Sequence, residues 1–234
     1  MKGFPAAGVA FLRELKENNN REWFTPRLES YKEFVRDPML ELVRALHLAM
    51  LQFAPSYVGE PAKCVYRVYR DTRFSKDKTP YKTRVDALFW HNGLDKKSGG
   101  GFYLSISPEE VAVCGGLYMA SPESLLAVRQ SIAGREKAFR ATFESKTVRR
   151  LMGDLKGETL TRVPKGFSAE DPAAELLKRK NYVLWATLSP DIITTPRLYR
   201  EIVKRFEAIT PFVEFLDRPL MATRSVAGNR LTRP

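Results

Sequence analysis

Apolar side chains change their spacing along this chain, and each change marks a new element. Val9, Leu12 and Leu15 recur among charged residues at the interval of one helical face, and the pattern ends at Asn18-Asn19-Asn20, residues suited to a cap or turn. Thr25-Pro26 reads as an N-cap followed by the first helical position, opening a helix through Tyr31 and Phe34. Asp37-Pro38 restarts the pattern, and Met39, Leu42, Val43, Leu46, Met50 and Phe53 then follow the three-and-four spacing of a buried helical stripe.

From residue 64 the period drops towards two. The spacing predicts strands at about 64–70, 84–91, 102–107 and 111–118, with Phe102, Leu104 and Ile106 alternating onto one face. The connections are too short for crossover helices, so the strands read as an antiparallel meander. Ser98-Gly99-Gly100-Gly101 reads as a flexible loop, and Gly115-Gly116 as a bulge or a close approach of another backbone. Helices resume after Ser121-Pro122, with Leu125, Val128 and Ile132 as the stripe. Asp171-Pro172 caps a short helix, and Tyr182–Leu188 reads as one further strand. Thr195-Pro196 opens a last helix that turns Leu198, Ile202, Val203 and Phe206 inward. The expected class is α+β: an antiparallel meander sheet with helices packed on it, in a single domain over residues 1–221, followed by a basic peripheral tail at 222–234.

Composition narrows the setting. The chain of 234 residues is 44% hydrophobic and 28% charged, an ordinary globular balance. It shows no apolar run long enough to span a membrane and no apolar leader, so a soluble protein with no membrane partner is expected. Cys64 and Cys114 stand 50 residues apart and form no zinc-binding frame, which favours free thiols and a reducing cytoplasm. The net charge of +12 is concentrated: residues 63–84 hold eight basic and two acidic side chains, half of the excess. A field focused in this way attracts anions.

The concentrated segment runs Arg67-Val68-Tyr69-Arg70-Asp71-Thr72-Arg73-Phe74-Ser75-Lys76-Asp77-Lys78-Thr79-Pro80-Tyr81-Lys82. Guanidinium groups are planar forked donors suited to phosphate or carboxylate, and interleaved aromatics add stacking surface. Asp71 and Asp77 are placed to hold the arginines. Ser75 and Lys78 satisfy Ser-x-x-Lys, but Pro80 opposes the helix turn that such a nucleophile requires. His47 falls on a helix and reads as structural, and His91 follows Trp90 at a strand end as a polar end-group. A P-loop, His-Glu-x-x-His and Gly-x-Ser-x-Gly are missing. In Asn18-Asn19-Asn20-Arg21-Glu22-Trp23-Phe24, the two aromatics read as anchors on the core, with Arg21 able to face the basic loop.

These motifs carry a resemblance. The pattern Asn18-Asn19-x-Arg21-x-Trp23-Phe24, the long basic run from Arg67 to Lys82, the pair Gly115-Gly116 and the run Pro164-Lys165-Gly166 resemble the family called domain of unknown function 2461, over nearly the whole chain from Phe4 to about Leu220. The resemblance implies a bacterial-type soluble protein and supplies no catalytic residues. Where the family pattern reads His-Pro, this chain has Asp171-Pro172, so no catalytic histidine carries over there.

Three readings follow. The first is a pocket for an anionic, phosphate- or carboxylate-bearing small molecule, with Arg67, Arg70 and Arg73 as clamp, Lys78, Lys82 and Arg21 adding charge, Ser75 and Tyr81 lining it, and Asp71 orienting an arginine or acting as a base. The second is a nucleic-acid-binding module in which the loop and the basic tail track a phosphate backbone. The third is a structural or protein-interaction domain whose loop is internally salt-bridged. No metal site is indicated, and the residues leave open both a cofactor and whether chemistry follows binding.

Overall fold

The computed structural model describes residues 2–96 and 98–231. Its centre is one four-stranded antiparallel sheet made of β1 (Val85–Trp90), β2 (Gly101–Ile106), β3 (Val111–Leu117) and β4 (Tyr182–Leu188), in that spatial order. The expected class and connectivity hold. Four of the five expected strands are present, among them Tyr182–Leu188, which takes the fourth place by pairing with β3.

The expected strand at 64–70 is corrected. Tyr66 N donates to Asp86 O and Val65 bridges Ala87, so the segment touches β1. It then leaves the sheet and exchanges backbone bonds with 80–82 instead: Arg70 N donates to Pro80 O and Lys82 N to Val68 O. The segment divides its backbone groups between two partners, and Pro80 has no N–H to extend the second pairing. On the other margin of the sheet, Lys156 bridges Val183 of β4.

Helices cover one face. α1 (Ala6–Glu17), the short α2 (Arg21–Phe24) and α3 (Leu28–Tyr31), and α4 (Asp37–Met50) form the N-terminal layer, and α5 (Pro61–Cys64) leads to the sheet. After β3 come α6 (Pro122–Gly134), α7 (Glu136–Phe143) and α8 (Lys146–Met152), then α9 (Ala174–Leu177) before β4. Helix α10 (Arg197–Leu231) lies across β3, with Ile202, Phe206, Ile209, Val213, Leu216 and Leu220 buried at helical spacing. Residues 32–36 form a π-helical turn that runs into α4, so the stripe from Val35 to Met50 is continuous through Asp37-Pro38. The expected N-cap at Thr25 is corrected too. Asn20 is the cap, accepting from Trp23 N at 2.9 Å, and Thr25 already lies in a helical turn.

Two glycine sites fix how closely the layers approach. A Cβ on Gly115 would sit 2.4 Å from Ile209 Cδ1, and one on Gly116, which has φ of 130°, would sit 2.1 Å from Tyr182 O. The pair therefore meets the expectation of a close approach, with α10 and β4 as the neighbours. The run at 98–101, read as a flexible loop, is packed down. Asp217 of α10, 1% exposed, accepts from Gly100 N at 2.5 Å and from Tyr57 Oη at 2.8 Å. A side chain on Gly99 would collide with that carboxylate. Burial pushes the Asp217 carboxyl above its ordinary range.

The peripheral tail expected at 222–234 begins at an exposed Ala222, and the packing of 223–234 lies outside the described residues; the backbone of α10 is helical through Leu231.

Gly116→Ala combines a left-handed backbone with a backbone clash, and should lower folding stability by at least ~2 kcal/mol. Urea unfolding measures it as a drop in midpoint at unchanged slope. A midpoint equal to the wild type would show that residue 116 relaxes freely.

Candidate functional site

The basic segment is held as a hairpin-like flap by a side chain distant in sequence. Asn19 Oδ1 accepts from Tyr81 N at 3.0 Å, and Asn19 Nδ2 donates to Tyr81 O at 2.9 Å. The amide thus satisfies both backbone groups of Tyr81. The Tyr81 ring stacks on Phe24 at 4.1 Å, and Phe24 packs in turn on Phe11 and Tyr31. The Asn-rich turn after α1 and the aromatic anchor of α2 together position the flap.

Within the flap, two aspartates build local turns by accepting from the residue two positions on. Asp77 Oδ1 accepts from Thr79 N and Thr79 Oγ1 at 2.9 and 2.8 Å. Asp71 Oδ1 accepts from Arg73 N at 3.3 Å. The same carboxylates take the arginines. Arg70 Nη1 donates to Asp77 and to Thr79 Oγ1, while Arg73 forks onto Asp71 through Nε at 3.0 Å and Nη2 at 2.8 Å. Both carboxyls fall to about 2, Asp71 chiefly through the Arg73 side chain and Asp77 chiefly through the Thr79 backbone N–H and then Arg70.

Between this flap, the end of α1 and the start of β1 lies an open cleft of ≈ 530 Å³, lined by Lys16, Asn19, Arg70, Asp71, Asp77, Thr79, Tyr81, Lys82, Thr83 and Arg84. Beneath its β1 side is Asp86, 3% exposed. Its Oδ2 accepts from Lys82 Nζ at 3.0 Å, and its Oδ1 accepts from Arg84 Nε at 3.1 Å and Ser105 Oγ at 2.9 Å. One buried carboxylate thus carries two cleft cations. A second hollow of ≈ 240 Å³, lined in part by Arg140, Arg149, Arg179, Glu144, Asp154 and Glu175, balances its charges one for one. The first hollow does not, with four cations against two carboxylates in its lining.

The structure divides the residues expected from sequence. Arg70, Asp71, Tyr81 and Lys82 meet in the cleft. Arg73 turns onto Asp71 and over the ring of Phe74, away from the lining. Lys78 Nζ donates to Thr72 O at 2.9 Å, so the ammonium is drawn to the flap backbone and not to Ser75. Arg67 is exposed, Ser75 is half-buried in the flap turn and Arg21 is exposed at the start of α2; none of the three lines the cleft. His47 is buried edge-on against Phe89, and His91 Nδ1 accepts from Gly93 N at 3.0 Å. Asp171 Oδ1 accepts from Ala173 N at 2.7 Å in a turn before α9.

Sequence reasoning missed Lys16, Asn19, Arg84 and Asp86 as site residues. For Arg84 and Asp86 a signal existed: residues two apart at the start of a strand share a face. For Lys16 no sequence signal separates it from any other surface lysine of a helix; it pairs with Glu109 at 2.7 Å. Among the described residues no group of three or more His, Cys, Asp or Glu side chains is placed to hold a metal ion, and no helix is long and apolar enough to cross a membrane.

Asn19→Ala leaves two backbone groups without their partner and should cost ~1–3 kcal/mol. Faster amide exchange at Tyr81, with core amides unchanged, is the expected result; a protected Tyr81 amide would show that the stacking alone holds the flap. The flap also has a defined acid response. Because the folded carboxyls of Asp71 and Asp77 lie below the ordinary carboxylate value, their contribution is complete above that value and is lost as pH falls towards about 2. Side-chain carboxyl resonances of the two should therefore titrate near 2.

No curated protein and no solved structure matches the chain. The model of the family described as "Conserved hypothetical protein (DUF2461)" matches residues 7–215, a span that holds both the Asn19 anchor and the whole flap. The chain belongs to that family.

Proposed function

We propose that the cleft binds a small anionic ligand bearing phosphate or carboxylate. The observation that carries this reading is the pairing of Lys82 and Arg84 with the single buried carboxylate of Asp86, which leaves one positive charge in excess beside the cleft. Arg70, braced by Asp77 and Thr79, supplies a pre-positioned guanidinium from the flap. A braced guanidinium loses little freedom on binding, and its remaining donors suit a forked oxyanion. Cys64 and Cys114 are buried free thiols, which supports a reducing, cytoplasmic setting.

A second reading has its own observation. Arg70 and Arg73 already have carboxylate partners within the flap, as an internally salt-bridged structural domain requires. The two readings differ in what happens when an anion is added.

Calorimetric titration with inorganic pyrophosphate at low salt should give saturable binding at one site. Arg84→Ala should weaken it by ~10-fold or more, the worth of a charge-assisted hydrogen bond. Arg44→Ala, on the exposed side of α4, should leave it unchanged. If no heat of binding is found while Arg70→Ala still loosens the flap by amide exchange, the structural reading stands and the anion site falls.

A further inference from the structure

The sheet has a second face, opposite the helical layer, with a small apolar cluster of its own. Ala112, Cys114 and Val183 are buried there, with Tyr103 and Trp185 packed over them and each partly exposed. The register explains the arrangement. Tyr103 of β2, Cys114 of β3 and Trp185 of β4 are cross-strand partners in one row, so the small Cys114 lies between two large rings. The ring centroids are 6.3 Å apart at 36°. Trp185 Nε1 donates to Thr187 Oγ1 at 3.2 Å, which fixes the indole in its plane. The result is a preset aromatic ledge.

The ledge joins the cleft through Asp86. Arg84 lines the cleft and bonds Asp86, which also accepts from Ser105 Oγ, and Ser105 stands two residues from Tyr103 on β2 and so shares its face. At the far end, Lys156 acts on Cys114 electrostatically and is bridged to Val183. An aromatic surface with cations at both ends matches a ligand that has a flat ring and a negative group. It matches a second copy of this chain poorly, because a net charge of +12 opposes self-association.

We propose that the ledge and cleft together take one nucleotide unit, the base lying on Tyr103 and Trp185 and the phosphate meeting Arg84, Lys82 and Arg70. The assignment rests on the anion-cleft reading and adds the ring. Free nucleotide and a nucleotide within a single strand share this chemistry, and titration separates them.

The test uses the full chain with four probes: inorganic phosphate, pyrophosphate, adenosine monophosphate and a thymidine octamer. Adenosine monophosphate should quench tryptophan fluorescence, and should bind ~10-fold or more tightly than inorganic phosphate, as one base stacked on an aromatic ring allows. Trp185→Leu should remove that advantage and the quench while leaving pyrophosphate affinity as it was. Trp185→Phe, which keeps an aromatic face, should retain the advantage and guards against a mere loss of folding. An octamer that binds more tightly than the mononucleotide, with steep salt dependence, assigns a strand; equal affinities assign a free nucleotide. If pyrophosphate binds and adenosine monophosphate binds no better than phosphate, the base seat is overturned and the anion cleft survives. If neither binds, both fall. A doubling of mass in solution that Trp185→Leu abolishes would overturn the proposal and give the ledge to a second copy.

Discussion

The side-chain amide of Asn19 does for Tyr81 what a neighbouring strand would do, accepting from its N–H and donating to its carbonyl. A strand partner would have brought a row of backbone groups and flattened the segment into the sheet. A single amide secures one residue and leaves 71–79 free to form its own turns around Asp71 and Asp77. The cleft exists because the flap is fixed at Tyr81 and the short 68–70/80–82 pairing, and stands off β1 elsewhere. The ring of Tyr81, stacked on Phe24, transmits the position of the N-terminal helical layer to the flap.

Charge pairing decides what the positive cluster is able to do. Exposed ion pairs contribute little to stability, so Arg73 with Asp71 is better understood as shaping the flap than as stabilising the fold. Asp86 is different, since it is buried and its charge needs partners in place. Lys82, Arg84 and Ser105 supply them, and so their geometry is set by the carboxylate and not by solvent. Cations placed in this way are preorganised by the fold.

Fold class was legible because period-two stretches at 84–91, 102–107 and 111–118 sit close together in sequence, with Phe102, Leu104 and Ile106 alternating onto the helix-covered face. The segment at 64–70 misled because its Val and Tyr content suits a strand while its partner is settled by Asn19 and Pro80, which periodicity does not see. Its local alternation was nonetheless right: Val68 is buried and Arg70 half-buried, with Arg67 and Tyr69 outward. In the site, Arg70, Asp71 and Lys82 were legible from charge density, and Tyr81 from the aromatics interleaved with it. Which arginine faces the cleft was not, because the choice between Arg70 and Arg73 turns on which aspartate each one meets. Thr25 was misjudged as a cap for a similar reason, since Asn20 five residues earlier already satisfies the turn.

The two outer strands of the sheet end in isolated bridges, Val65 on β1 and Lys156 on β4. Each bridge occupies part of a row of N–H and C=O groups that would otherwise be open to another chain. On the β1 side the covering segment then departs into a cationic flap, so an incoming strand meets like charge as well as a blocked ladder. A mutation that straightened 64–70 along β1 would present a longer and more regular margin, open to strand addition by another chain.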